Sequence, residues 1–407
     1  MHSRTQLPSL LRVRNSGNKC AIGINVAPYT VLLLGVSFVV LIAMLPTSSK
    51  GFLASGNFGR TGADYRTHQN IADFLIVGVL CLFASIRWFV GTDYLLYTLI
   101  HEQVDPHDWQ QTIERSPQEV GFTVLALAVK SFSSDPIWLF ATASVLTIVI
   151  SYAAMRLLSV NSTVSLLTFV LFAQYFFAFN AVRQGLAIAV VYLAVGLWVR
   201  GHKILALFAA VIAGLTHTSS IVALVAATLF LLVWRRPLRA RSYFLILLPA
   251  AIAARFSLTI PLVAELAEGL NPRYASYIAN ATEAGIGTYL MIAVVAALGS
   301  AYAMALHPTG RHTWIVKIFA LALPFMLMGT SIVELGRLAN YFSWALILLV
   351  PAALHSNSRN ARILARLTIV FGYLYCVVYL RSFDGLLPYV DVFGILNRND
   401  VNIHVPG

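Results

Sequence analysis

The sequence predicts an all-α, polytopic integral membrane protein with about twelve transmembrane helices, and three observations carry that expectation. Hydrophobic residues fill 59% of the 407 positions and charged residues only 11%, giving a mean hydropathy of +0.78, well outside the composition of soluble globular domains. Apolar stretches near the ~20 residues needed to cross a bilayer recur along nearly the whole chain. Basic residues fall in short clusters between those stretches, which is how membrane orientation is set.

Taken in order, the chain opens with a basic leader, residues 1–27, carrying Arg4, Arg12, Arg14 and Lys19. No small-residue cleavage site follows it, so it reads as the start of an uncleaved anchor. A single polytopic domain, 28–382, then holds expected spans near 28–46, 71–90, 136–158, 163–181, 184–200, 203–217, 219–234, 242–262, 286–306, 314–332, 339–354 and 363–381. Segment 118–132 is too short and too interrupted to span, and reads as a re-entrant or interfacial helix. Residues 383–407 form an outer-face tail.

Charge gives the expected sidedness. Arg200-Gly201-His202-Lys203, the run from Arg235 to Arg241 and the run from Arg359 to Arg366 should be cytoplasmic, because short Lys/Arg-rich loops are retained inside. From Pro136 through Ala264 there is no Asp or Glu; acids gather in 101–119 and 265–283, which alternation places outside if 118–132 does not cross. One conflict stands at the N-terminus. The leader claims the inside, and Lys50, Arg60 and Arg66 make the same claim for the loop after the first helix. The net charge of +12 is accounted for by these topogenic clusters, which argues against nucleic acid as a partner. Cys20, Cys81 and Cys376 show no CxxC spacing, so no disulfide framework or zinc site follows.

Polar residues at membrane depth point to function, since each costs several kcal/mol unless it is used. Arg183-Gln184 opens one span and His217 closes the next. Around them stand Arg87-x-x-x-Gly91-Thr92-Asp93-Tyr94-x-x-Tyr97, Glu119-Val120-Gly121-Phe122, Phe179-Asn180-Ala181-Val182-Arg183-Gln184, His217-Thr218-Ser219, Arg273-Tyr274-x-x-Tyr277 and Glu334-x-x-Arg337-x-x-x-Tyr341-Phe342. In this order, from roughly Ile86 to Arg381, they resemble the EpsG-like branch of the Wzy-type polysaccharide polymerases, which assemble bacterial exopolysaccharide, capsule and O-antigen. The basic leader departs from the family pattern.

The resemblance implies a metal-independent, cofactor-free glycosyltransferase of the bacterial cytoplasmic (inner) membrane. Its reaction would move a polyprenyl-diphosphate-linked glycan onto a lipid-linked repeat unit at the outer face. Implied partners are that lipid-linked oligosaccharide, membrane lipid and a chain-length-regulating membrane protein. Arg183, Arg337 and Arg273 suit a diphosphate, because guanidinium forks match phosphate oxygens and stay charged. His217 suits the base that takes an acceptor proton, with Asp93 or Glu119 orienting or replacing it. Arg87, Gln184, Tyr97, Tyr274, Tyr277 and Tyr341 complete the expected binding set.

Plainer roles compete with each assignment. Arg183 can snorkel to an interface, His217 can be a packed helix-end histidine, Arg337 can pair with Glu334 at i,i+3, Asp93 can be a cap, and the tyrosines can form an interfacial belt. Two other functions fit the same pattern: a flippase or other transporter for lipid-linked oligosaccharide, and a polyprenyl-phosphate-sugar-dependent glycosyltransferase.

Overall fold

A computed structural model describes residues 27–44, 58–235, 285–306, 313–382 and 385–393, with scattered positions between 237 and 252. Every regular element among them is helical, and one isolated antiparallel bridge joins Arg87 to Asp391. The first half holds α1 (Ala27–Met44), α2 (Phe58–Ser85), α3 (Tyr94–Gln103), α4 (Trp109–Arg115), α5 (Val120–Lys130) and α6 (Ile137–Leu158). Next come α7 (Ser162–Leu171), α8 (Gln174–Asn180), α9 (Val182–Val199), α10 (Lys203–Thr216) and α11 (Ser219–Val233). The last group is α12 (Ile286–Ala305), α13 (Thr313–Ala320), α14 (Ala322–Met328), α15 (Val333–Ser343), α16 (Leu346–Leu354) and α17 (Arg359–Ser382).

The expected count of about twelve spans is not what the described residues show: seven segments are long and apolar enough to cross a membrane, α15 and α16 running on as one (Val333–Leu354), or eight if the bent pair α7–α8 is one span. The difference has a geometric cause. Segments 203–217 and 219–234 fold as α10 and α11, of 14 and 15 residues. At the α-helical rise these reach only ~21 to 23 Å, against a hydrocarbon core of ~30 Å. Segment 163–181 bends by 51° between α7 and α8, and 314–332 breaks at Leu321. Hydropathy measures apolar length and is blind to such breaks. The expected span at 242–262, the leader 1–26, and Arg273, Tyr274 and Tyr277 lie outside the described residues or almost wholly so.

Two ends of the bundle differ in chemistry. At one, the Arg200 Nε donates to the Leu157 carbonyl (3.1 Å), and the Lys317 Nζ donates to the carbonyls of Trp234 (2.7 Å) and Arg235 (3.3 Å). The other end gathers the 86–93 loop, Glu119, Arg183 and His217. Helices α3 to α5 fold over it. Helix α5 begins just after Glu119, which lies beside His217, and ends at Lys130 beside His101 of α3. Tyr29, near the start of α1, bonds the Leu386 carbonyl at 2.5 Å, and its ring meets Tyr389. The first helix therefore enters from the end that holds Glu119 and His217. The part of the tail that is described, 385–393, is folded back onto the 86–91 loop.

Candidate active site

The site begins with a close approach. A Cβ on Gly121 would stand 2.8 Å from both the carbonyl carbon and the oxygen of Leu215, so only glycine lets the first turn of α5 lie against the end of α10. Helix α10 stops at Thr216, and His217 takes an extended conformation (φ −158°, ψ 119°) before Thr218 opens α11. This one-residue break at a hairpin tip turns the imidazole toward Glu119, which precedes α5. Nδ1 of His217 lies 2.7 Å from the Glu119 Oε1. The Thr218 amide donates to the same oxygen at 3.3 Å.

The second carboxylate oxygen, Oε2, accepts from the Arg183 Nη1. Arg183 sits in the first turn of α9, just after the break at Ala181, and its Nε donates to the Tyr97 hydroxyl at 2.9 Å. Burial pushes the Glu119 carboxyl up, but the His217 hydrogen bond and the charges of Arg183 and His217 outweigh it and hold the group near a pKa of about 2. An ionised carboxylate only accepts. In the neutral ring, Nδ1 of His217 must then carry the proton and donate it, leaving Nε2 as a lone-pair acceptor. Nε2 makes no hydrogen bond among the described residues.

Two further charges border this chain. Arg337 is exposed on α15 and makes no ion pair among the described residues; Glu334 does not bind it. Its backbone is fixed instead, the carbonyl accepting from the amides of Gln184 (2.9 Å) and Asn340 (3.1 Å). Asp93, at the N-cap position of α3, is raised above the usual carboxylate range by burial, against the pull of the Arg337 and Arg183 charges. Tyr341 is buried, and its hydroxyl and the Ser219 hydroxyl lie 3.0 Å apart.

Structure thus brings together Tyr97, Glu119, Arg183 and His217, with Asp93 and Arg337 alongside and Tyr341 joined through Ser219. Tyr97 and Tyr341 are packed inside rather than standing in an interfacial belt. Arg87, expected to bind substrate, is only 1% exposed, with its guanidinium 4.3 Å from the Phe179 ring and without hydrogen bonds among the described residues. Burial lowers its pKa to about 10. Gln184, also expected to bind substrate, turns its amide to a backbone carbonyl. Sequence reasoning missed the Thr218 amide and the Gly121 contact, although both stand inside quoted motifs. No group of three His, Cys, Asp or Glu that could hold a metal occurs among the described residues.

Helices long and apolar enough to cross a membrane, with a polar cluster of Glu119, Arg183 and His217 at one end, define a polytopic membrane protein. The chain belongs to the EpsG family, whose sequence model matches residues 70–390. That membership suggests a membrane polysaccharide polymerase-like role. No curated protein and no solved structure matches the chain.

Proposed function

We infer that this protein is a glycosyltransferase that transfers a polyprenyl-diphosphate-linked glycan onto the terminal sugar of a lipid-linked repeat unit. The observation that carries the reading is the Glu119–His217 contact, which fixes a histidine with one ring nitrogen free, in a cluster where the charges of Arg337 and Arg183 both act on Asp93. In the proposed step, Nε2 of His217 takes the proton of the acceptor hydroxyl as its oxygen bonds the anomeric carbon. The bond from that carbon to the diphosphate oxygen breaks, and the diphosphate leaves with its charge facing Arg337. Glu119 holds the ring and offsets the imidazolium as it forms, as carboxylates do beside catalytic histidines. Arg183 is committed to Glu119 and Tyr97, so its role is to position the carboxylate, while Arg337 makes no ion pair among the described residues. Asp93 accepts from sugar hydroxyls.

Sidedness supports the same reading. The basic residues Arg200, Lys203, Arg235 and Lys317 lie at the end away from His217, which the positive-inside rule makes cytoplasmic. The site then faces outward in a bacterial cytoplasmic membrane. A mostly apolar cavity of about 530 Å³ opens behind Tyr341 between α9, α10 and α11, within the size range of ligand sites and suited to an isoprenoid tail.

One observation favours a flippase instead: the 51° bend between α7 and α8 is the kind of broken helix transporters use. Incubating purified protein with a lipid-linked repeat unit separates the two. A ladder of longer glycans is the expected result; unchanged substrate redistributed across a vesicle bilayer would establish the transporter.

A further inference from the structure

The chain continues past its last helix and returns to the site. Gly385 has φ +82°, and a Cβ there would stand 2.9 Å from the Thr92 amide nitrogen and 3.1 Å from the Gly91 carbonyl carbon. On the opposite side of the same loop, Gly91 has φ +111°, and its Cβ would stand 2.9 Å from the Phe179 carbonyl carbon. Loop 91–93 is thus clamped between the end of α8 and the C-terminal segment, at distances that admit no side chain. The clamp is hydrogen-bonded throughout. The Gly91 amide donates to the Gly385 carbonyl (2.6 Å), Trp88 to Val390 (2.8 Å) and Val392 to Ile86 (2.9 Å), while the Thr92 amide donates to the Asn180 Oδ1 (3.0 Å). The Tyr389 hydroxyl donates to the Phe83 carbonyl (2.5 Å), and the Tyr29 hydroxyl to the Leu386 carbonyl (2.5 Å).

This ladder makes Arg87 and Asp391 a non-hydrogen-bonded antiparallel pair, the arrangement that brings facing side chains closest. Both are buried, at 1% and 3% exposure. The two side chains take separate partners: the Arg87 guanidinium lies against the Phe179 ring at 4.3 Å, and the Asp391 carboxylate accepts from the Phe393 amide at 2.9 Å.

We propose that residues 385–391 are a positioning strap for the active site, holding the Gly91–Asp93 loop so that the Asp93 carboxyl stays within the field of Arg337 and Arg183. The proposal rests on the reading that Asp93 serves the glycosyl transfer.

The test is Gly385→Ala in the full-length protein, read in two ways. Hydrogen exchange of peptide 86–92 reports docking directly, because the Trp88 and Gly91 amides are held by strap carbonyls; exchange on the order of ten-fold faster is expected. Polymer formation per folded molecule should fall on the order of 10- to 100-fold, the usual penalty for an ångström-scale misplacement. In the Asp93→Asn background, the same substitution should cost almost nothing more, since coupled residues are non-additive. Additive losses, or faster exchange with unchanged turnover, would show a strap that packs without positioning, and unchanged exchange would overturn the strap altogether. Absence of polymer from the parent protein overturns the transfer reading separately, with the exchange result left standing on its own. If Gly385→Ala fails to insert, Tyr389→Phe removes one strap hydrogen bond and gives the same readouts at smaller size.

Discussion

Asp73 and Glu119 are two carboxylates that differ in what their partners leave over. Asp73 on α2 is fully buried and accepts from the hydroxyls of Ser162, Thr163 (2.5 Å) and Tyr152 (3.2 Å), with the Arg156 guanidinium at 3.6 Å. Its partners are mostly neutral, its oxygens are occupied, and nothing reaches it from outside. Glu119 keeps 16% of its side chain exposed and takes two cationic or ionisable partners, one of which presents a free ring nitrogen. A buried acid alone therefore does not mark a site. Asp73 joins α2, α6 and α7, whereas Glu119 orients another group that can still react.

The largest effect that tests this contrast is His217→Ala. Turnover should fall by a factor on the order of 10²–10⁴, the contribution of a positioned base, while thermal stability stays near that of the parent. Asp73→Ala should do the reverse: about 2–4 kcal/mol of stability lost because the hydroxyls and Arg156 lose their shared acceptor, with activity per folded molecule retained. Measuring turnover and melting on both preparations decides it. A stable, fully active His217→Ala protein would reduce His217 to a helix-end residue and the contrast would fail.

A smaller effect separates the two arginines. Arg183 uses divergent donors, Nε toward Tyr97 and Nη1 toward Glu119, which an ammonium cannot reproduce from one point. Arg183→Lys should lower activity on the order of ten- to 100-fold with little change in the apparent affinity for lipid-linked substrate. Arg337→Lys keeps a cation at an exposed site and should act mainly through substrate affinity. Equal loss of affinity in both variants would return Arg183 to direct contact with the diphosphate.

Much of this was legible in the chain because membrane insertion leaves strong marks. Apolar runs marked α1, α6, α9 and α17, and the scarcity of charge made Arg183 and His217 conspicuous. That Glu119 rather than Asp93 is the partner of His217 was not legible. It depends on a helix stopping at Thr216 and on Gly121 admitting a close approach, and neither breaks the hydropathy pattern. Asp73 went unremarked because its partners, Ser162 and Thr163, sit 89 and 90 residues away. The strap was invisible for a related reason. Nothing in 385–393 announces pairing with residues some 300 positions earlier, and its main signals, glycines at positive φ, appear only once a backbone exists.

The smallest effect is the most discriminating about electrostatics. Glu119 has a folded pKa near 2 against an ordinary 4.5, so between those values the unfolded chain binds more protons than the folded one and stability rises with pH. The contribution of this carboxylate is complete above about 4.5 and disappears as pH falls toward 2. Asp93 is shifted the other way by burial. Its ionised form is disfavoured in the folded state, so folding is favoured below its ordinary range and that advantage fades as pH rises through the folded pKa. Melting curves recorded from pH 7 downward should therefore show the parent ahead of Glu119→Gln at neutral pH, with the gap closing through the acid range. Asp93→Asn should differ from the parent with the opposite slope. A gap between parent and Glu119→Gln that stays constant down to pH 2 would mean that the carboxylate is held by shape rather than by the charges of Arg183 and His217, and the comparison with Asp73 would lose its electrostatic half.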